Sequence, residues 1–472
     1  MRSMRDYVKR VHFVGVGGSG MSGVAEVLLN LGYEVSGSDL LESATIERLR
    51  DAGARIDIGH AAGHIEGCDV VVVSAAIAED NVELVAAAQR NVPMIPRAEM
   101  LGELMRFRRG IAVAGTHGKT TTTSLIANVL AQGGLDPTFV VGGLVNSVDS
   151  NARLGGGEYL VAEADESDAS FLHLQPWMAV VTNIDADHMG AYGGNFERLT
   201  QTFVDFLHNL PFYGLAVLCI DDANVQRIKS AVRKPVITYG TDAAADLRAL
   251  DVAQHGTRMR FRAVRAQRRD IDVELAIPGN HNVLNALAAI AIGQELGIDD
   301  AAIVAGLAGF EGIGRRFELR GAVGVTGGEA LLVDDYAHHP RELAATLQAA
   351  AGSWPERRRV AVFQPHRYTR TRDLLDDFAQ VLERQDPLII TEVYPAGENP
   401  ISGADGRALC RAIRARGKVD PIFVENLTDL PEILAAIVQP DDIILTLGAG
   451  DIGQVSRRLA HSQLAVPQRV RG

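Results

Sequence analysis

The apolar and polar positions of the chain follow the pattern of a parallel α/β fold, in which short apolar runs alternate with helical stretches. The run 69–74 is dominated by valine and has no polar alternation, which is typical of a central strand covered on both faces. Apolar spacing predicts helices over 21–31 and 82–90. Further strands are predicted at 11–16, 33–36, 111–114, 159–162, 178–183, 217–220, 236–239, 331–334, 360–363, 388–393 and 443–447.

The segment 246–274 departs from this pattern. Arginines alternate there with apolar residues, so we predict antiparallel strands at a sheet edge, with the arginines in solvent. Prolines and arginines in 91–109 precede a new strand, and a third α/β run begins near Gly321. At roughly 150 residues per domain, a chain of 472 residues is expected to hold about three domains. We expect the tail 463–472 to be loose.

Composition narrows the class of protein. Hydrophobic residues make up 47% and charged residues 22%, as in a folded globular chain. The net charge of -13 repels nucleic acid and anionic membranes, so an anionic ligand requires local positive sites. Cys68, Cys219 and Cys410 are far apart, which argues against disulfides and cysteine metal sites. No apolar run reaches the ~20 residues of a membrane helix, and no signal-peptide core is present, so we expect a soluble cytoplasmic protein.

A first phosphate motif follows the first predicted strand. Gly15, Gly17 and Gly20 have G-x-G-x-x-G spacing, which lets the backbone approach a diphosphate at a helix N-terminus. Asp39 follows Gly20 by 19 residues, where an acid can accept hydrogen bonds from a ribose. The alternative is a turn that only packs helix on strand. Nothing in the motif distinguishes NAD from another nucleotide diphosphate.

A second and stronger motif is a shortened P-loop. A buried strand leads into Gly115, Gly118, Lys119 and Thr120, and Val113 stands where the full Walker spacing has glycine. Lys119 is placed to neutralise the β- and γ-phosphates, and the Thr120 hydroxyl can ligate Mg²⁺. The alternative is a lysine that merely caps a strand.

Acidic residues follow two central strands of the predicted sheet. Ligands of open α/β sheets bind beyond the carboxyl ends of strands, so acids at these positions are candidate metal ligands. For Asp165, Glu166 and Asp168 we nevertheless favour a solvated loop, and a structural hydrogen bond is the default for His188. The residues concerned are Glu163, Asp165, Glu166 and Asp168 after one strand, and Asp185, Asp187 and His188 after the other.

The motifs together resemble the Mur ligases of peptidoglycan synthesis, and most closely their alanine-adding branch. The resemblance covers essentially the whole chain. No lysine lies between His188 and Lys229, where other branches carry a carbamylated lysine. The matching segments, in family order, are HFVGVGGSGMSG, AGTHGKTTTTSL, AEADESDASFL, TNIDADHM, PGNHNVLNALAA, GIGRRFE, VDDYAHHP and FQPHRYTRTRDL.

This resemblance implies a three-domain α/β architecture. A Rossmann-like domain, 1–107, would bind the UDP of a sugar substrate rather than NAD. A P-loop ATPase domain, 108–316, would bind ATP, and a Rossmann-like domain, 317–472, would bind the amino acid. The implied reaction joins L-alanine to the lactyl carboxylate of UDP-N-acetylmuramate through an acyl phosphate, with ATP and two Mg²⁺ ions, in a monomer or homodimer.

The alternatives are a recycling ligase that adds a tripeptide, an NAD-dependent oxidoreductase, a P-loop regulator or motor, and a nonenzymatic nucleotide-binding module. We expect neither nucleic-acid binding nor membrane insertion.

The resemblance also implies roles for individual residues. Asn282 has a second interpretation as a helix N-cap, and HRYTR could be a solvated loop. Arg367 and Arg370 are candidates to bind the alanine carboxylate in a fork. The implied catalytic residues are Lys119, Arg316, Asp335 and His338. The implied ATP contacts are Gly115, Thr116, His117, Gly118, Lys119, Thr120, Thr121, His281, Asn282, Arg316 and Asp335. The implied UDP-sugar contacts are Gly15, Gly17, Gly18, Ser19, Gly20, Asp39 and Ser74. Tyr336, His366, Arg367 and Arg370 are placed on the amino-acid side, and Thr120, Glu163 and His188 at the metal.

Overall fold

The computed structural model describes residues 4–74, 76–106, 108–146, 150–460 and 462–464. It divides into two compact units. The first unit consists of residues 1–252, 260–276 and 281–311, and the second of residues 253–259, 277–280 and 312–472. The predicted loose tail lies outside the described residues from 465 onward, whereas Gln463 forms a β-bridge with Gly324.

The N-terminal part of the first unit is a parallel sheet with helices. Its strands are β1 (Arg10–Val14), β2 (Glu34–Asp39), β3 (Arg55–Ile58), β4 (Val70–Val73) and β5 (Met94–Pro96). Its helices are α1 (Ser19–Asn30), α2 (Ala44–Asp51), α3 (Val82–Gln89) and α4 (Arg97–Arg106). The strand order is β3-β2-β1-β4-β5, with parallel pairing throughout. The valine run is therefore next to the central strand, as its composition predicts.

The remainder of the first unit lies in a larger mixed sheet, of which residues 253–259 belong to the second unit. Its strands are β6 (Arg109–Ala114), β7 (Thr138–Val145), β8 (Ser150–Arg153), β9 (Tyr159–Glu163), β10 (Met178–Val181), β11 (Leu215–Cys219), β12 (Val236–Gly240), β13 (Leu247–His255), β14 (Arg258–Arg265) and β15 (Ile271–Leu275). Its helices are α5 (Lys119–Gln132), α6 (Phe196–His208), α7 (Ala223–Ile228), α8 (Asn280–Glu295) and α9 (Asp300–Ala308). The order is β15-β14-β13-β12-β11-β10-β6-β9-β7-β8. The arginine-rich segment thus forms the predicted edge.

The second unit carries a third sheet. Its strands are β16 (Glu318–Val325), β17 (Gly328–Asp335), β18 (Arg359–Phe363), β19 (Leu388–Thr391), β20 (Ile422–Val424) and β21 (Ile443–Leu447). Its helices are α10 (Pro340–Ser353), α11 (Tyr368–Asp373), α12 (Leu375–Leu382), α13 (Gly406–Ala415), α14 (Leu430–Ile437) and α15 (Ile452–Leu459). The order is β16-β17-β21-β18-β19-β20. Only the β16–β17 pair is antiparallel among the pairings of these described strands, and sequence reasoning missed β16.

The two sheets of the first unit are joined by polar contacts. Nδ2 of Asn151, on β8, donates to the Ser22 hydroxyl of α1 at 3.0 Å. Nη2 of Arg48, on α2, donates to Oδ1 of Asn151 at 3.2 Å. The first two predicted domains therefore lie in one compact unit, and the boundaries at 107/108 and 316/317 stay predictions. Among the described residues, no helix is both long enough and apolar enough to cross a membrane.

Candidate functional site

The first glycine loop joins β1 to α1. Gly15 has a φ of +80°, a backbone conformation that glycine adopts without a steric penalty. The N–H groups of Gly15 and Val16 donate to the Ser38 carbonyl at 2.9 and 3.0 Å. Gly18 is the N-cap of α1. The loop therefore presents a helix N-terminus, where backbone N–H groups and the helix dipole favour an anion.

Asp39 lies at the end of β2, as predicted, but the loop itself orients it. Its Oδ2 accepts a hydrogen bond from the N–H of Gly17 at 2.8 Å. A Cβ at position 17 would lie 2.8 Å from this oxygen, so a larger residue there would displace the Asp39 carboxylate. Ser74 follows β4, and its hydroxyl accepts from the N–H of Ala76 at 3.4 Å. Ser19 begins α1, and its side chain lies outside the described part of the structure.

Arg97 is a candidate residue that sequence reasoning missed. It is the first residue of α4, directly after β5. A Cβ on Gly20 would lie 2.9 Å from its Nη1, and its Nη2 lies 3.6 Å from Oδ2 of Asp165. Burial opposes the charge of Asp165, but Lys119 and Arg97 help to lower the pKa of that carboxyl. The signal for Arg97 in the sequence is its position directly after a strand, where a cation can contact an anionic ligand as readily as an acid can contact a metal.

The P-loop connects β6 to α5. Gly115 and Gly118 have φ values of +132° and +83°, so both backbone positions favour glycine. A Cβ at Gly115 would lie 2.1 Å from Oγ1 of Thr182. Thr120 and Thr121 lie in the first turn of α5 and are buried. The strand–loop–helix prediction is confirmed at these residues.

Lys119 is partly buried, and its side chain points back over its own loop. Its Nζ donates to the carbonyls of Gly115 and Thr116 at 2.7 and 3.2 Å and to Oε2 of Glu166 at 2.7 Å. Burial opposes the charge of Lys119, but Glu166 and Asp165 outweigh it and raise the pKa of the ammonium. The lysine is therefore charged, and its ammonium is held over the P-loop by these two carbonyls and Glu166.

The expectation of a solvated acidic loop after β9 is wrong for Glu166. Glu166 is 1% exposed, because it pairs with Lys119 and the Tyr192 hydroxyl donates to its backbone carbonyl. Asp165 is partly buried, whereas Asp168 is exposed as expected. The sequence shows three similar acids, and only the packing of the loop separates them.

The segment after β10 supports the P-loop backbone. The N–H of His117 donates to Oδ1 of Asn183 at 2.8 Å, and the Thr182 hydroxyl donates to the His117 carbonyl at 2.7 Å. The N–H of Asp185 donates to the Thr116 hydroxyl at 2.9 Å. Nε2 of His117 lies 3.2 Å from Oδ2 of Asp185. Thr182 and Asn183 are thus positioning residues that sequence reasoning did not single out.

The predicted metal ligands occupy different environments. Glu163 ends β9, and its Oε1 accepts from the N–H of Gly142 at 2.7 Å. His188 has a φ of +55°, and its Nε2 lies 3.6 Å from Oδ2 of Asp187. The Thr120 hydroxyl and the Glu163 carboxylate offer oxygen donors, which suit Mg²⁺. Both interpretations of His188, as a metal ligand and as a structural hydrogen-bonding residue, stay predictions.

The predicted adenine contacts lie in the first turn of α8. This helix begins at Asn280, so Asn282 is inside it and the N-cap interpretation is wrong. Oδ1 of Asn282 accepts from Nδ2 of Asn285 at 3.0 Å, and Oδ1 of Asn285 accepts from the Thr122 hydroxyl at 3.0 Å. Asn282 is buried and His281 is exposed. Asn285, which ties α8 to α5, was missed.

In the second unit, Arg316, Asp335 and Tyr336 form one cluster. Asp335 is buried and accepts hydrogen bonds from the N–H groups of Phe317 and Ala337, both at 2.7 Å. Burial raises the pKa of Asp335 to about 6, although Arg316 opposes the shift. The guanidinium carbons of Arg316 and Arg315 lie 4.9 and 5.1 Å from the Tyr336 ring centroid. Arg315 is thus a second cation that the sequence analysis passed over.

A second group in this unit joins the histidines and arginines predicted on the amino-acid side. The rings of His338 and His366 lie 5.7 Å apart, and Nη1 of Arg370 lies 3.3 Å from Nδ1 of His366. Burial, His338 and Arg370 lower the pKa of His366 to about 3, so this imidazole is neutral. Nη1 of Arg367 lies 3.4 Å from Oε1 of Glu398. Arg370 is buried and α11 begins at Tyr368, so HRYTR is not a solvated loop.

Comparisons with known proteins agree with this architecture. Three family models match the chain: the Mur ligase family catalytic domain at residues 10–109, the Mur ligase middle domain at 113–293, and the Mur ligase glutamate ligase domain at 315–450. The UDP-N-acetylmuramate–L-alanine ligase of Halorhodospira halophila is 59% identical over 97% of this chain and 94% of its own length. The corresponding ligase of Methylococcus capsulatus is 60% identical over 96% of each chain.

Solved structures give the same result. The UDP-N-acetylmuramate-alanine ligase from Thermotoga maritima is 31% identical, with a TM-score of 0.81 over 95% of this chain and 98% of that chain. A murein peptide ligase from Psychrobacter arcticus is 25% identical, with a TM-score of 0.70 over 96% and 98% of the two chains. Identity at this level over nearly the full length, together with the P-loop and its surrounding strand ends, shows that the chain belongs to the Mur ligase family.

Proposed function

We propose that the chain is an ATP-dependent ligase that joins L-alanine to the lactyl carboxylate of UDP-N-acetylmuramate. The reaction would proceed through an acyl phosphate and release ADP and phosphate. The observation that carries this proposal is the identity of 59–60% to UDP-N-acetylmuramate–L-alanine ligases over at least 96% of the chain. The similarity to a murein peptide ligase is 25%, which supports the alanine-adding reaction over tripeptide addition.

The first glycine loop is the proposed site of the UDP diphosphate. The first turn of α1, which contains Gly20, would supply backbone N–H donors, and Arg97 supplies a full positive charge beside Gly20. Asp39 would bind the ribose through the oxygen that Gly17 does not occupy. The surroundings of the loop thus supply local positive potential in a chain with a net charge of -13.

The P-loop is the proposed ATP site. Lys119 would exchange part of its contact with Glu166 for the phosphates, and Asn282 with His281 would contact the adenine. Thr120, Glu163 and His188 would hold magnesium, and oxygen donors dominate that set, as Mg²⁺ requires. When bound, magnesium neutralises charge on the phosphate oxygens. For Arg316 and Asp335, the family resemblance supports a contact with ATP.

The second half of the reaction needs a free amine. The lactyl carboxylate would attack the γ-phosphate, and the alanine amine would then displace phosphate from the acyl phosphate to form the amide. The amine has a pKa of roughly 8 in solution, so it must lose a proton before it attacks. We place Tyr336, His338, His366, Arg367 and Arg370 on the amino-acid side, with Arg367 and Arg370 as candidates for the alanine carboxylate.

The proposal is tested by the substrate dependence of phosphate release. With the purified full chain, release from ATP should require both UDP-N-acetylmuramate and L-alanine, and mass spectrometry should detect UDP-N-acetylmuramoyl-L-alanine. Replacing alanine by glycine, by serine or by a tripeptide measures the preference for the amine. Release that does not depend on the UDP-sugar would contradict the proposal, and tight NAD binding without UDP-sugar binding would favour an oxidoreductase.

A further inference from the structure

A buried polar cluster contacts the strands that carry the first glycine loop and has no role in the reaction described above. Its members are Glu83 of α3, His12 of β1, and His60 and His64 from the segment between β3 and β4. Glu83 and His12 are fully buried. Because a buried carboxylate is unfavourable unless hydrogen bonds replace its lost water, its partners are expected to be specific.

Both carboxylate oxygens of Glu83 have partners. Oε2 accepts from the Ser38 hydroxyl at 2.6 Å, and Oε1 accepts from the N–H of Ala61 at 3.2 Å. Nδ1 of His64 lies 2.7 Å from Oε1, and Nε2 of His12 lies 3.5 Å from Oε2. Burial would raise the pKa of Glu83, but the neighbouring His12 imidazole and the hydrogen bonds from Ser38 and His64 outweigh it and lower the pKa to about 2. Glu83 is therefore ionised at neutral pH.

Ser38 connects this carboxylate to the glycine loop. Its hydroxyl is held by Glu83, and Nδ1 of His60 lies 3.0 Å from the same oxygen. Its carbonyl accepts the N–H groups of Gly15 and Val16 at 2.9 and 3.0 Å. A shift of Ser38 would therefore move the hydrogen bonds that set the direction of the loop.

His12 also connects the cluster to the first glycine loop. It lies on β1, the strand that runs into the loop, and its Nδ1 is 2.9 Å from the Ser36 hydroxyl on β2. The cluster thus contacts both strands at the base of the loop. Among the described residues, the donor atoms of these side chains do not converge closely enough to share a metal ion. The arrangement is that of a hydrogen-bonded support.

We propose that Glu83 is a positioning residue for the UDP-sugar site, which holds Ser38 so that the Gly15–Gly20 loop is preorganised for a nucleoside diphosphate. The inference rests on the proposed function of that loop. Preorganisation lowers the cost of ordering backbone N–H groups when the anion binds. Glu83 does not touch the substrate, so its effect reaches the ligand only through Ser38 and the loop.

Glu83→Gln tests the proposal because it keeps the size of the side chain and removes its charge. We expect the KM for UDP-N-acetylmuramate, and its Kd by calorimetry, to rise about tenfold, since hydrogen bonds to charged groups are the stronger class. The kcat and the KM for ATP should stay within about twofold of the wild type. A merely structural defect would instead lower kcat through loss of active protein and leave each KM unchanged.

Ser38→Ala is the second variant, and it keeps the test valid if Glu83→Gln does not fold. It removes the hydroxyl that links Glu83 to the loop, so it should raise the same KM. In the double variant the two effects should be less than additive, because both act through one contact. Glu66→Gln is the matched control, because this glutamate lies in the same sheet region with 71% of its side chain exposed, and it should match the wild type.

The outcomes separate the inference from the function on which it rests. Wild-type release of phosphate without a requirement for UDP-N-acetylmuramate would overturn both. If the wild type is active and both Ser38→Ala and Glu83→Gln keep its KM for the UDP-sugar, only the positioning role of Glu83 is overturned. A parallel loss of kcat with an unchanged KM would also overturn it.

Discussion

Two loops of this chain share the same glycine spacing but differ in how closely other side chains pack against them. Gly15, Gly17 and Gly20 lead from β1 into the first turn of α1, and Gly448, Gly450 and Gly453 lead from β21 into the first turn of α15. In the first loop, a Cβ on Gly18 would meet nothing closer than the Gly15 carbonyl oxygen at 3.5 Å. A Cβ on Gly17 or Gly20 would lie 2.8 or 2.9 Å from the end of the Asp39 or Arg97 side chain. The first loop therefore has room for a ligand at Gly18, beside a helix N-terminus.

The C-terminal loop is filled by the protein's own side chains. A Cβ on Gly450 would lie 2.4 Å from Oε1 of Gln364 and 2.7 Å from Cβ of Tyr394, and a Cβ on Gly453 would lie 2.3 Å from the guanidinium carbon of Arg315. Nη2 of Arg315 donates to the Gly448 carbonyl at 2.5 Å. Here the glycines permit close packing, so the spacing alone does not identify a phosphate site.

The largest expected effect concerns the P-loop, a third glycine loop with which the two G-x-G-x-x-G loops can be compared. Lys119→Ala should lower phosphate release by about 1000-fold or more, because the variant loses the P-loop cation that stabilises phosphoryl charge. The affinity for UDP-N-acetylmuramate, measured by calorimetry, should stay near the wild-type value. Turnover close to the wild type would show that the P-loop assignment is wrong.

The next effect tests the cation of the first loop. Arg97→Ala should raise the KM for UDP-N-acetylmuramate by about 10- to 100-fold, because a charge-assisted contact to a diphosphate contributes about 1.5–3 kcal/mol. Steady-state kinetics with saturating ATP measures it. Arg106→Ala, at the exposed end of the same helix, is the control and should be neutral. An unchanged KM in Arg97→Ala would show that Arg97 does not bind the diphosphate at the first loop.

Two serine substitutions, one in each loop, test the packing difference directly. Gly450→Ser should lower the free energy of unfolding by about 1–3 kcal/mol, because it overpacks a filled site. Gly18→Ser should change it by less than about 0.5 kcal/mol, since serine is a good N-cap, yet it should weaken UDP-sugar binding. Guanidinium denaturation and calorimetry measure the two quantities. Equal losses of stability would contradict the distinction between an open and a filled loop.

The smallest expected effect is the pH dependence of the unfolding free energy that arises from His366, next to the filled loop. His366 stacks on Tyr394 with ring centroids 5.5 Å apart, and its folded pKa of about 3 lies below the unfolded value. The unfolded chain therefore takes up this proton first, and stability from His366 is lost as the pH falls from about 6.5 toward 3. Between pH 7 and pH 5, His366→Gln should lose about 1 kcal/mol less unfolding free energy than the wild type.

The carboxyl of Asp335 changes the unfolding free energy with pH in the direction opposite to His366. Its pKa is raised to about 6 in the folded protein, so its contribution to stability is lost as the pH rises from about 4 toward 6. Both His366→Gln and the wild type contain Asp335, so its contribution cancels when the unfolding free energy of one is subtracted from that of the other. Identical slopes for the two proteins would show that His366 titrates normally. Denaturation at a series of pH values is the measurement.

Local elements were predictable because a few adjacent residues determine them. The valine strand and the glycine-to-lysine turn of the P-loop were recognised from the sequence, since strand burial and glycine conformation act over short distances. Glu166 was assigned to solvent, because its pairing with Lys119 depends on contact between segments 47 residues apart. Arg97 was overlooked for the same reason, since Gly20 is distant from it in the sequence. The antiparallel strand β16 carried no strong apolar pattern and was also missed.

The sequence by itself determined that this is a Mur ligase chain with a P-loop, a G-x-G-x-x-G turn after its first strand and acids at strand ends, because these features depend on neighbouring residues. The tertiary structure alone decided which acid pairs with Lys119, which arginine approaches Gly20, and which glycine loop remains open. Gln364, Tyr394 and Arg315 fill the C-terminal loop from separate parts of the second unit. Close packing of distant side chains, rather than glycine spacing, distinguishes the open loop from the filled one.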